Sequence, residues 1–208
     1  MIYLLPRFNP IPKYDDCFGL LNSPRAGIIA PIKDGITWAF DNNVFTMEFN
    51  IAKWTKGLER YQEYLDTCLF AVAPDFVGDK ERTLERFEEY QPTLKDMGYP
   101  VALATQDGMT TDDIPWQDID AIFVGGSVEH KMSEATGDII KQAIAKSIHV
   151  HIGRVNSRKR LMRFWFADSV DGTSPAFGPN INIPPLAKAV REARALKERQ
   201  ACFIPHYI

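Results

Sequence analysis

The chain has 208 residues and carries 24 Lys and Arg against 27 Asp and Glu, a formal net charge of −3, so no global field draws it to nucleic acid or to a membrane surface. This length allows one domain with a substantial core, spanning residues 1–208, and excludes two ordinary ones. No apolar run approaches the roughly 20 residues that cross a bilayer, the run Met1 to Leu5 is broken by Pro6 before it could serve as a signal peptide, and Cys17, Cys68 and Cys202 are too scattered for a disulfide framework or a zinc cluster. A reduced, cytoplasmic protein without metal, cofactor or membrane contact is expected.

Residues 1–31 are rich in Pro, Asn, Gly and Asp, and predict strands and loops rather than helix. Residues 36–40 form a strand by their branched and aromatic content, ending on Asp41. A helix follows over about 51–66. Residues 68–73 are continuously apolar, the mark of a strand buried on both faces, and lead to Pro74-Asp75. Residues 79–97 carry a helical stripe of Leu84, Phe87, Leu94 and Met97, with Gly98 placed as the C-terminal cap and Pro92 expected to kink or interrupt the helix. The next strand, 99–105, ends on Gln106-Asp107-Gly108, and the one after, 121–124, ends on Gly125-Gly126-Ser127. A helix over 133–147, a strand over 148–152, a basic helix over 157–166, a short strand ending on Asp171-Gly172, and an amphipathic helix over 185–200 complete the chain.

Alternating helices and fully apolar strands make a parallel sheet covered by helices. The number of units and the polar residues at successive strand ends predict a compact α/β fold, a (β/α)8 TIM-type barrel with one or two helices missing or reduced and no zinc subdomain. An open doubly wound sheet is the alternative, although Gly125-Gly126 lacks the full dinucleotide-binding glycine pattern.

In such a barrel Asp41, Asp75, Gln106, Gly125, Gly126 and Asp171 face one mouth. Carboxylates and an amide read the edge of a flat polar heterocycle, and glycine lets the backbone approach it. From His151 onward basic residues dominate, among them Arg154, Arg158, Lys159 and Arg160, so phosphate contacts are expected there. The plainer alternatives are an Asp171 that only caps a turn and a basic helix that is only a solvated face.

The ordered set Phe40-Asp41-Asn42-Asn43-Val44-Phe45, Ala73-Pro74-Asp75, Thr105-Gln106-Asp107-Gly108, Phe123-Val124-Gly125-Gly126-Ser127 and Asp168-Ser169-Val170-Asp171 resembles guanine transglycosylases over about residues 36–184. Val155-Asn156-Ser157, Gly172-Thr173 and Phe177-Gly178-Pro179-Asn180 look like the small phage and bacterial branch associated with 7-deazaguanines in DNA. The resemblance implies Asp171 as nucleophile, Asp41 as the second catalytic carboxylate, and Asp75, Gln106, Gly125, Gly126 and Ser127 as base-binding positions. It implies guanine-containing DNA and a free 7-deazaguanine base as partners, with tRNA less favoured; a homodimer is compatible with the sequence. The chain departs from the tRNA enzymes in two places. Only Cys202 and His206 fall near the place of their zinc site, so four ligands cannot be assembled, and Lys131 stands where their glycine loop reaches a glutamate. Two other readings stay open: a non-catalytic nucleic-acid-binding subunit, and a metal-dependent hydrolase using His149 and His151, which share a strand face.

Overall fold

The computed structural model describes residues 1–6, 16–25, 30–44 and 49–201. Eight parallel strands close a barrel in sequence order: β1 (Ile2–Pro6), β2 (Phe18–Asn22), β3 (Trp38–Phe40), β4 (Cys68–Val72), β5 (Val101–Thr105), β6 (Ala121–Val124), β7 (His149–Ile152) and β8 (Ser169–Asp171). β8 returns to β1 with Leu4 opposite Asp171, which closes the cylinder and excludes the open sheet.

Period-2 alternation divides each strand between two cores. Leu4, Ala39, Phe70, Val72, Ala102, Ala104 and Ala121 fill the barrel interior, with Phe123 packed against them. The intervening residues, such as Ala71, Val101, Leu103, Val150 and Val170, pack outward beneath the helices. Alanines on the inner face leave room for the two phenylalanine rings, whose centroids lie 6.3 Å apart at an edge-on angle.

The helices are α1 (Ala30–Lys33), α2 (Ile51–Tyr61), α3 (Lys80–Asp96), α4 (Val128–Lys131), α5 (Glu134–Ala145), α6 (Arg158–Arg163) and α7 (Pro179–Ala201). Asn50, Asp79, Ser127, Ser133 and Ser157 cap α2 to α6 by accepting a backbone N–H from the first turn. The reduced helices are α1, with four residues, and the β5–β6 connection, where a 3-10 turn at Thr111–Asp113 replaces a helix.

Some boundaries differ from the sequence expectation. α2 ends at Tyr61 and continues as a 3-10 segment, Gln62–Thr67. α3 runs uninterrupted through Pro92. The carbonyl that loses its partner to that ring belongs to exposed Glu88, where water can satisfy it. The basic helix is six residues rather than ten, and α7 begins at Pro179 rather than 185, since Pro at the first turn gives up an N–H that has no helical partner anyway. Cys202, His206 and the Phe45 end of the Phe40 motif lie outside the described residues. Among the described residues no helix is long and apolar enough to cross a membrane.

Candidate active site at the carboxyl end of the barrel

A cavity of about 390 Å³ opens at the C-terminal ends of the strands. Every strand delivers to it at or just beyond its last residue: Pro6 from β1, Asn22 from β2, Asp41 after β3, Asp75 after β4, Gln106 after β5, Gly125 and Gly126 after β6, Arg154 after β7, and Asp171 from β8. Seven of the expected site residues thus share one concave wall: Asp41, Asp75, Gln106, Gly125, Gly126, Arg154 and Asp171.

Asp171 is the inward residue at the end of β8. Its Oδ1 accepts the backbone N–H of Arg154 at 3.0 Å and lies 3.1 Å from His151 Nε2. Among the described residues nothing donates to its Oδ2. The backbone carbonyl of Asp171 accepts from Val155 N, and Gly172 follows where a Cβ would collide with the Tyr3 hydroxyl and Asn156 Oδ1. Asn156 Oδ1 in turn accepts the N–H groups of Thr173 and Ser174. The turn after Asp171 is therefore built from glycine by necessity and braced from the β7 side. Arg154 holds a left-handed backbone, φ 61°, a local strain tolerated where it aims an N–H at the carboxylate.

Asp41 lies half-buried on the same wall. Burial pushes its carboxyl up to about 7, aided by the nearby negative charges of Asp171 and Asp75 and opposed by the Asn43 N–H, which Oδ1 accepts at 3.0 Å. Near neutral pH this carboxyl can be found with or without its proton, the condition for acid–base work.

Asp75 is 6% exposed and sits between two amides. Its Oδ1 accepts Asn42 Nδ2 at 2.7 Å and its Oδ2 accepts Gln106 Nε2 at 2.6 Å. Burial raises its carboxyl to about 6 against these donors and the Arg86 charge. Gln106 Oε1 is occupied by Gly78 N at 2.9 Å, which fixes the amide's orientation and leaves its second N–H free. Each Asp75 oxygen keeps a lone pair. Together these atoms form a rigid edge of acceptors and one donor.

Gly126 has φ 66°, and a Cβ there would lie 2.7 Å from Asp107 Oδ2. Asp107 holds the loop by accepting Ser127 N and Oγ; although burial acts to raise its carboxyl, these bonds and the nearby His130 hold it below the usual range. Ser127 caps α4 and does not line the cavity. Lys131, at the end of α4, does line it and donates to Gly153 O at 2.6 Å. Arg154 donates to Gly126 O at 2.6 Å, tying the β6 and β7 loops together. Arg158, Lys159 and Arg160 are exposed outside the cavity, and Arg158 pairs with Glu192 at 2.6 Å.

No family model matches the chain, and no curated protein does. Solved structures do. Over 95% of this chain and 91% of the other, it superposes on a chain of the Amycolatopsis orientalis BexX/CysO complex with TM-score 0.55 and 13% identity. Over 94% of each, it matches a 4-hydroxy-2-oxoglutarate/2-dehydro-3-deoxyphosphogluconate aldolase from TTHB1 with TM-score 0.53 and 12% identity. The fold is a TIM barrel. The chain also matches tryptophan synthase from M. tuberculosis at TM-score 0.49 and 14% identity, spanning 65% of that chain. At these identities the likeness describes the fold alone.

Two features of the site lay beyond the sequence reading. Asn22 lines the cavity with its Oδ1 accepting Ser23 N at 3.1 Å, while its buried Nδ2 has no partner among the described residues. Its signal was its place at the end of a strand whose bounds were not drawn. The second is the use of the paired histidines. His149 and His151 do face inward together, but both turn a ring nitrogen to Ser169 Oγ. Among the described residues no group of three His, Cys, Asp or Glu side chains is placed to hold a metal.

Proposed function

We propose that this protein is a base-exchange glycosyltransferase, a guanine transglycosylase that replaces guanine in DNA with a 7-deazaguanine derivative. The observation that carries the reading is the pairing on one cavity wall of Asp171, with one oxygen anchored and the other free, and Asp41, a carboxyl poised at about 7.

In the first half-reaction the free Oδ2 of Asp171 attacks C1′ of the guanine nucleotide. The C1′–N9 bonding pair leaves with the base, and protonated Asp41 supplies the proton the departing base needs. In the second, the incoming base gives its ring N–H proton to Asp41 carboxylate and attacks C1′, and the ester C–O pair returns to Asp171. The proton lost in one half is regained in the other, and two displacements give net retention. The Asp75–Gln106 edge suits a purine-like ring with N–H donors. A base inside a duplex must leave its stack to reach the barrel mouth, at about a few kcal/mol.

The test is incubation with guanine-containing DNA, and separately tRNA, in the presence of labelled 7-deazaguanine bases, followed by nucleoside mass spectrometry. Label in DNA supports the reading. Label in tRNA alone would reassign the polymer, and binding without exchange would favour a non-catalytic subunit.

A second reading rests on Lys131. Burial, reinforced by the Arg154 charge, lowers its ammonium to about 8, so near neutrality it has access to the free amine that attacks carbonyls. Borohydride trapping of a small 2-oxo acid on Lys131, with water lost as the imine forms, would favour carbonyl chemistry instead.

A further inference from the structure

The interior of the barrel holds a polar column beneath Asp171. β7 and β8 run in register with His151 opposite Ser169, so His149 and His151 alternate inward beside Ser169 and Asp171. His149 Nε2 lies 2.7 Å from Ser169 Oγ, Ser169 Oγ lies 2.8 Å from His151 Nδ1, and His151 Nε2 lies 3.1 Å from Asp171 Oδ1. Ser169 and His151 are fully buried. The His151 ring is held between Phe70 and Phe123, at centroid distances of 5.1 and 4.5 Å.

With both imidazoles neutral, only one assignment of protons satisfies every contact while Asp171 is a carboxylate, because a carboxylate can only accept. His151 Nε2 must carry the hydrogen, so His151 Nδ1 is an acceptor. Ser169 Oγ must then donate to it, which leaves Ser169 to accept from His149 Nε2–H. The reverse direction would need a proton on Asp171. Burial lowers both imidazoles and keeps them neutral, as this chain of single hydrogens requires.

We propose that His151 is a positioning residue for Asp171, its tautomer fixed through Ser169 by His149, so that Oδ1 is tied to the barrel wall and Oδ2 alone is presented to the sugar. A metal-binding pair has no need of the shared serine, and a merely packed pair has no need of a common direction. The Phe70 and Phe123 rings prevent His151 from turning away, so the orientation of the attacking oxygen is set from inside the barrel as well as by the Arg154 N–H. The catalytic part of this inference rests on the exchange reading above; the proton arrangement does not.

Imidazole 15N NMR of the full chain at pH 7 tests the arrangement without any substrate. The expected result is neutral His151 and His149, both in the Nε2–H form, with His151 losing its single tautomer in Ser169→Ala. A Nδ1–H or doubly protonated His151 in the wild type would overturn the proposal. Activity supplies the second measurement. His151→Phe, which keeps the packing, should slow single-turnover adduct formation about tenfold to a hundredfold with little change in KM, and His151→Gln, which can still offer an N–H to Oδ1, should recover most of that loss. A folded His151→Phe protein reacting at the wild-type rate would refute the positioning role. A wild type with the expected tautomers and no exchange would count against the reaction, not against the column.

Discussion

Asp41 and Asp171 stand on one wall in different surroundings, and the difference fits the two roles that the exchange proposal gives them. Asp171 has a donor-anchored oxygen and a free one, as a nucleophile needs. Asp41 is raised to about 7 by burial and by neighbouring carboxylates, as an acid that must give a proton at neutral pH needs. Asp41→Asn cannot deliver that proton and should slow the first half-reaction by about 10²–10⁴-fold while base binding changes little. In the wild type the same step should fall away as pH rises above about 7, because deprotonated Asp41 can no longer act as an acid; a pH series of single-turnover rates checks this, and a rate that keeps rising to pH 9 would remove Asp41 from the acid role.

At the scale of elements, the loop between β6 and α4 is held by one backbone conformation. Gly126→Ala would force a side chain into the left-handed region and against Asp107, which anchors Ser127. It should cost about 1–3 kcal/mol of stability, measured by urea denaturation, whereas Gly137→Ala, in α5 with open space around it, should be neutral or stabilising. Elements of this kind were legible in the sequence to different degrees. β4, β5, β6 and β7 announce themselves as apolar runs, and Asp75, Gln106 and Gly125 follow from where those runs stop. β1 and β2 were not delimited, because five-residue strands among prolines and glycines carry little periodicity, and Asn22 was missed with them. Pro92 misled because local propensity cannot see that Glu88 is exposed to water. The His149–Ser169–His151 column depends on a β7–β8 register that spacing alone does not reveal.

For the whole molecule, the cluster of raised carboxyls links the site to stability. Asp41 binds its proton more tightly folded than unfolded, from an ordinary 3.8 to about 7, and Asp75 to about 6. Between those limits the folded state holds the extra protons, so their contribution is full below pH 4 and is lost as pH rises through 6 and 7. The melting temperature should therefore decline across pH 5 to 8 with a slope that Asp41→Asn flattens; an unchanged slope would mean that Asp41 titrates normally. Under the exchange proposal the exposed cations of α6 would meet the polymer. Arg158 is engaged by Glu192, whereas Lys159 and Arg160 have no acidic partner among the described residues, so neutralising both should weaken DNA binding to all sequences alike and reduce the slope of log affinity against log salt by about 2.

The central claim is that Asp171 forms a covalent bond to the sugar, and the direct measurement is to trap the protein on guanine-containing DNA under denaturing conditions. Wild type should give a protein–DNA adduct whose attachment maps to Asp171, and Asp171→Asn, folded and still able to bind DNA, should give none. An adduct that persists in Asp171→Asn, or one that maps to Asp41, would contradict the account.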